Sequence, residues 1–427
     1  MPLFRLRSLS SLLLLLLGTI LFADSLSAQS SDAVYWRYDA PGRLARIVVD
    51  DVDHDGIDEF VVVADGRQIM ALDSNGREVW PVPFETENDV VNLTALDADN
   101  LQPTADEIVL ATEARLVLLN SEGQEIWRRP LGARPAALLP LSGDGSGPDD
   151  ILVALSDGAL LRFNGQGFLV WEYGFTDPPA QDATPQLAVA DLNRDGINEI
   201  VYSYFADEGF SKLVLIDWQG QRQWERSDSG RVTAMTLTAF DPDGELEIAL
   251  ATTLNRVYLY TANGNRRWPY RTPNRAVTTL TSALLDEQPA LVVGTEVGMV
   301  IAYDEEGQRI WSRALSPTAD QPITVISVAP HPRPQKTLVD IAVLLDQPNA
   351  GSGESEIILL DGDGRRLEPS YSARSDVDTS RLVDINRDGR NELLLAGFAT
   401  LELLDPGVGA RQYFEAWAYR LGARPEA

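Results

Sequence analysis

The chain has 427 residues, 44% of them hydrophobic, with 64 acidic side chains against 35 basic ones and a formal net charge of −29. That balance argues against nucleic-acid binding and against electrostatic docking on anionic lipid, and it suits solubility, divalent cations or a cationic partner. With no cysteine there is no disulfide framework, thiol nucleophile, lipobox or covalent haem attachment. Nearly all positive charge is arginine, the two lysines being Lys212 and Lys336.

In chain order, Arg5 and Arg7 precede an apolar run from about Leu9 to Ala23, and small residues follow at Ser25, Ser27 and Ala28. This pattern predicts a secretory signal peptide over residues 1–28, cleaved near Ser27 or Ala28, with no membrane span in the mature chain. A retained anchor is the competing reading. A single domain is expected over 33–420.

The first chemically distinctive stretch is "DVDHDGIDE", residues 51–59. Asp51, Asp53 and Asp55 place carboxylates at alternate positions, Gly56 permits a sharp reversal, Ile57 offers its backbone carbonyl, and Glu59 can close an oxygen cage. Hard cations such as calcium take six to eight oxygens in such loops. The pattern starts like an EF-hand, but its acidic closer stands at position nine rather than twelve. It returns as "DLNRDGINE", with Asp191, Asn193, Asp195, Ile197 and Glu199, and as "DINRDGRNE", with Asp384, Asn386, Asp388, Arg390 and Glu392. Weaker copies lie between: Asp97, Asp99 and Glu107 in a longer loop, Ser142 to Asp150 with fewer charges, and the shortened "DPDGELE" over 241–247. Three similar strong copies at scattered positions suit local stapling of a long polar turn better than one catalytic centre.

A second feature keeps the same period. Trp80, Trp127, Trp171, Trp224, Trp268 and Trp311 each stand seven residues after the start of a turn of the type D-x-x-G, at Asp73, Asn120, Asn164, Asp217, Thr261 and Asp304. From Asp361 the same count reaches Glu368, so the unit persists there without its Trp. Around these marks run short aliphatic and β-branched stretches bounded by Asp-Gly and Asn-Gly, for example "RIVV", "EFVVVA", "QIMAL" and "REVW". These are hairpin signals, and four strands per unit of 40–50 residues describe a propeller blade. The fold expected is therefore all-β, a propeller of four-stranded antiparallel blades. Units start near 44, 91, 136, 186, 233, 279, 325 and 381, which makes eight blades, or seven if one divergent unit forms none.

Ring closure falls either to an N-terminal strand over 33–38, where Trp36 sits where an outer strand should end, or to a C-terminal strand over 412–419. The periodic Trp residues read as blade-to-blade packing rather than carbohydrate platforms. Trp218, out of register, is a weak surface candidate. His54 lies inside the first acidic loop and His331 in "APHPRPQK"; they form no Ser-His or His-metal constellation with other residues.

The loops over 51–59, 191–199 and 384–392 resemble the calcium-binding repeats of FG-GAP/VCBS-type propellers, as in integrin α-subunit heads, although the Phe-Gly and Gly-Ala-Pro signatures are largely missing. The D-x-x-G-x-x-x-W phase is similar to the blade motif of quinoprotein-like and outer-membrane assembly propellers. The resemblance spans about 33–410; the repeated loops suit calcium in two to four sites, and the signal segment predicts an extracytoplasmic location: periplasmic, cell-surface or secreted. Members of the second group include quinone-dependent alcohol dehydrogenases and non-catalytic scaffolds, so architecture is implied more strongly than activity. The function expected is a non-enzymatic, calcium-stabilised module that presents one face to a protein or glycan, as a monomer or within an envelope assembly. A calcium-dependent polysaccharide-active enzyme or a quinoprotein-like dehydrogenase is the alternative.

Overall fold

The structure is a computed structural model that describes residues 34–53, 55–99, 106–142, 147–175, 177, 179–180, 185–206, 208–240, 245–273, 275–285, 288–315, 322–328, 341–345, 355–372, 377–385, 392–397 and 400–404. The expected signal segment, the strand over 412–419 and both histidines lie outside the described residues.

Eight four-stranded antiparallel sheets form the ring, and the described residues contain no helix. The strands that open the blades are Leu44–Asp50, Val90–Leu96, Pro135–Leu141, Gln186–Ala190, Val232–Thr238, Val277–Leu285, Ile323–Val328 and Val377–Val383. Eight blades is thus the count, and seven of the eight expected starts fall within two residues of these; the last strand begins four residues before the expected 381.

The second strands show why this sequence makes a ring of blades rather than a half-solvated sheet. "EFVVVA", "EIVLAT", "DILVAL", "EIALAT" and "ELLLAG" are buried at every position. Side chains alternate between the two faces of a strand, so a strand apolar throughout must be covered on both faces. The core clusters show this directly. Val61 and Val63 of blade one pack with Ile108 and Leu110 of blade two, while Phe60, Val62 and Ala64 turn the other way onto Leu394, Ala396, Leu401 and Leu403 of blade eight. Outer strands read differently: Glu125–Pro130 alternates between half-buried and exposed positions, as expected of a strand with one wet face.

The ring closes through the N-terminus. Strand Val34–Asp39 pairs antiparallel with Thr400–Leu404, so the outer strand of blade eight comes from the opposite end of the chain to its other three.

Neighbouring blades are joined by one repeated contact. In each D-x-x-G turn the first residue's carbonyl accepts the glycine N–H, as Asn120 does from Gly123 at 2.9 Å, and the glycine takes a positive φ between 71° and 82°. The Trp of the preceding blade lies flat against that glycine. A Cβ added at Gly123 would meet the Trp80 ring at 2.6 Å, and one at Gly76, Gly167, Gly220 or Gly264 would meet Trp36, Trp127, Trp171 or Trp224 at 2.7–2.9 Å. Each indole N–H then donates to a backbone carbonyl of the same turn: Trp36 to Ser74 (2.8 Å), Trp80 to Ser121 (2.6 Å), Trp127 to Gly165 (2.9 Å) and Trp171 to Trp218 (3.2 Å). Trp224 reaches Ala262 (2.8 Å), Trp268 reaches Glu305 (2.8 Å) and Trp311 reaches Gly362 (3.0 Å). After four of these Trp residues an arginine adds hydrogen bonds to the glycine carbonyl: Arg129, Arg226, Arg271 and Arg313 reach Gly167, Gly264, Gly307 and Gly364.

Two expectations need correction. "REVW" is not a full outer strand: Glu78 makes a single bridge to Leu72, and the outer strand of blade one is the two-residue Phe84–Glu85. Pro81 and Pro83 lack the N–H groups a ladder needs. Trp218 is no surface platform, because it is half-buried, its carbonyl accepts from Trp171, and its ring lies 3.7 Å under the Arg162 guanidinium.

Substituting one junction tests this reading. Trp268→Ala should cost about 3–5 kcal/mol of stability by leaving a large interblade cavity, and Trp268→Phe, which loses mainly the indole hydrogen bond, about 1–2 kcal/mol. Gly123→Ala should also destabilise, by about 1–3 kcal/mol, through its positive φ and its clash with Trp80. Denaturant midpoints measure all three.

Candidate metal centres

Each candidate loop joins a blade's first strand to its second, and its closing acid is the first residue of that second strand. Glu59 pairs across the ladder with Asp50, and Glu199 with Ala190. Both glutamates are buried, at 3% and 5% exposure, beneath loops that are otherwise largely exposed.

Blades one and four wrap their loops alike. Asp51 Oδ2 accepts the Gly56 N–H at 3.0 Å, and Asp191 Oδ2 accepts that of Gly196 at 2.9 Å. Asp55 Oδ1 accepts from Ile57 at 2.8 Å, and Asp195 Oδ1 from Ile197 at 2.9 Å. Asp53 Oδ1 and Asn193 Oδ1 take the N–H groups of Asp55 and Asp195 at 3.1 and 2.8 Å. Gly56 and Gly196 sit at φ of 91° and 87°, in open space, so backbone freedom rather than crowding calls for glycine there.

The closing glutamate performs a function the sequence reading missed. One of its oxygens accepts a loop N–H in five blades: Glu59 from Val52 (3.0 Å), Glu107 from Ala98 (2.8 Å), Glu199 from Leu192 (2.9 Å), Glu247 from Phe240 (3.1 Å) and Glu392 from Ile385 (3.1 Å). The acid therefore ties the loop to the root of the second strand even in blade five, where the loop is too short for a cage. In blade one, ligand oxygens of Asp51, Asp53 and Glu59 lie within 4.8 Å of one another, as do those of Asp97, Asp99 and Glu107 in blade two. Three carboxylates so close repel unless a positive charge joins them, and hard oxygen donors fit calcium.

That repulsion and the burial are visible in the acidities. Burial, aided by the Asp53 charge, pushes Glu59 up to about 7; Glu107 rises to about 7 mainly through burial, and Glu199 rises for the same reason.

Where the acidic loop has decayed, an arginine stands against the acid. In blade three, Arg162 lies 2.5 Å from the buried Asp150, and in blade five the Arg267 guanidinium bonds the second oxygen of Glu247. In blade four, Asn193, in place of the aspartate of blade one, donates to Glu199 Oε1 at 2.8 Å. The sequence signal for Arg162 was a charge inside an otherwise apolar strand, "LLRF"; Arg267, on an outer strand, gave no such signal.

Of the expected ligands, Asp51, Asp53, Asp55 and Ile57, and Asp191, Asn193, Asp195 and Ile197, lie in the two loops, while Glu59 and Glu199 are the first residues of the strands that follow. Asp384 and Glu392 flank the third loop, while Asn386, Asp388 and Arg390 fall outside the described residues.

A family model described as "Outer membrane protein assembly factor BamB" matches residues 24–142, the stretch holding the first two blades and the start of the third. It belongs to the assembly side of the resemblance; the calcium-repeat side rests on the loops. No curated protein matches the chain. Among solved structures, the chain is similar to BamB from Moraxella catarrhalis, with 15% identity, 85% of this chain and 99% of that one covered, and a TM-score of 0.54. It is also similar to Saccharomyces cerevisiae Sqt1, at 10% identity, 88% and 98% coverage and a TM-score of 0.64. The Dos1 propeller matches at 11% identity, 88% and 95% coverage and a TM-score of 0.61. At these identities the likeness is one of fold.

Two tests follow from the geometry. Glu59 binds its proton more tightly folded than unfolded, so its contribution to stability is full below about pH 4.5 and is lost as the pH rises through about 7. Chelator-treated protein should therefore lose thermal stability between pH 5 and pH 8, and Glu59→Gln should flatten that slope. Arg267→Met should destabilise by about 1–3 kcal/mol at pH 7 by removing the guanidinium from the buried Glu247, as read from denaturant midpoints.

Proposed function

We propose that this protein is an extracytoplasmic propeller whose acidic loops are stapled by calcium and whose ring serves as a protein-binding scaffold. The observation that carries the staple is the equivalence of the loops in blades one and four. Two loops about 140 residues apart in sequence wrap their backbones onto the same three side-chain positions and close on the same buried glutamate. Such loops hold a turn in shape wherever it lies on the ring. Calcium sites on extracellular modules bind weakly, with Kd of about 0.1–1 mM, which suits an exported protein better than a cytosolic sensor.

The scaffold role is supported by the family description matched over residues 24–142, an outer-membrane assembly factor, and by the expected signal segment over residues 1–28. Among the described residues no helix is long and apolar enough to cross a membrane.

Differential scanning fluorimetry tests the staple. Metal-stripped protein should gain about 3–5 °C in Tm at saturating calcium. Asp51→Asn combined with Asp191→Asn should remove most of that gain, and an unchanged melting curve with and without calcium would contradict the staple. The scaffold role is tested by capture from the native envelope fraction, where a specific protein partner is expected.

A further inference from the structure

We propose that the groove between blades four and five binds an acidic peptide strand of a partner protein. The proposal rests on the scaffold reading above and names the chemistry of its partner.

The groove has a volume of about 380 Å³ and runs between Ser227 and Ser229 on blade four and Arg256, Tyr258, Arg266 and Tyr270 on blade five. Its cations are held in place from below. The Arg266 guanidinium lies 5.0 Å over the Tyr258 ring and is fixed by Tyr260 and the buried Asp228. Arg256 lies 4.9 Å over Tyr270, and its Nη1 donates to the Tyr258 hydroxyl at 3.3 Å. Among the described residues Arg256 makes no ion pair, although acids outnumber bases by 64 to 35 in this chain. A guanidinium stacked on a ring keeps its N–H edge available, and that edge matches a carboxylate. Lys212, also at the groove, does not add to this field because Asp177 and Glu225 neutralise it at 2.5 and 3.3 Å, and Arg266 is likewise paired with Asp228 at 2.5 Å, so the charge offered to a ligand is chiefly that of Arg256. Among the described residues Glu208 is the one acid lining the groove, and it will oppose a ligand carboxylate placed at its end.

The backbone beside these charges favours a peptide. Ser227 and Ser229 end the outer strand Arg222–Ser229, which at eight residues is longer than any other outer strand of the ring. That strand is the last in its sheet, so its far edge has no partner strand. An extended peptide added there gains main-chain hydrogen bonds, and its alternate side chains fall over blade five. Phe210 and Tyr270, 45% and 44% exposed, offer apolar contact to the residues next to the acid. A sugar is less well served, because Arg256 and Arg266 cover ring faces on which it would stack.

The test uses the full protein with calcium and a labelled peptide alternating glutamate with valine, read by fluorescence polarisation. Wild type should bind it and ignore a lysine–valine peptide. Arg256→Glu should weaken binding by about tenfold or more at unchanged Tm, and Arg256→Lys should fall between, keeping charge but losing the fork. Equal binding by Arg256→Glu, equal binding of the lysine peptide, or tighter binding of an oligogalacturonate would overturn the proposal. Envelope capture separates the two levels. A partner retained equally by Arg256→Glu leaves the scaffold role standing and removes this groove from it. No partner captured by wild type removes the scaffold role, whatever the peptide does.

Discussion

The ring depends on one contact made repeatedly: an indole laid flat on a glycine of the next blade. The glycine is required twice over, once because the turn places it at positive φ and once because a Cβ would occupy the space of the ring. The indole supplies large apolar area and a polar edge that finds a backbone carbonyl of the same turn. Seven junctions share this contact, from Trp36 to Trp311. At the remaining junction Glu368 stands where the Trp would be. The receiving turn would join the third and outer strands of blade eight, but those two strands come from opposite ends of the chain. Closing the ring with the N-terminal strand therefore means that no hairpin turn joins those two strands.

The acidic loops are a separate device placed on this frame. Their constant element is the buried acid at the root of the second strand, which accepts a loop N–H in five blades and carries a charge into a poorly solvated position. Something positive must answer that charge. In blades three and five a guanidinium does so permanently, through Arg162 and Arg267. In blades one and two the acid is joined by clustered carboxylates instead, Asp51 and Asp53 beside Glu59 and Asp97 and Asp99 beside Glu107. On the proposed reading, exchangeable calcium in blades one and two would answer the same electrostatic problem that fixed arginines answer in blades three and five.

Much of this was legible in the sequence because both devices are local. The turn, its glycine and the Trp seven residues on lie within one hairpin, so their period survives in the chain and gives the blade count. The loop pattern is equally compact. The sequence was less informative where a residue acts on one far from it or where backbone chemistry overrides pattern. Arg267 meets Glu247 across one intervening strand, and Trp218 serves Trp171 in the preceding blade, so neither role has a short-range signature. Blade one lost the expected outer strand to Pro81 and Pro83, two residues that the alternating pattern around them does not reveal as ladder breaks. The groove between blades four and five is assembled from strands of two blades and could be read only once they were adjacent.

The central claim is that the Trp junctions hold the ring while cations hold only the loops. Hydrogen–deuterium exchange read segment by segment, in calcium and in chelator, tests it most directly. The account predicts faster exchange on chelation in residues 51–59 and 191–199, with the turns at Gly123, Gly167, Gly264 and Gly307 unchanged. Exchange that rises together in all eight blades, or that leaves both loops unchanged, would contradict it.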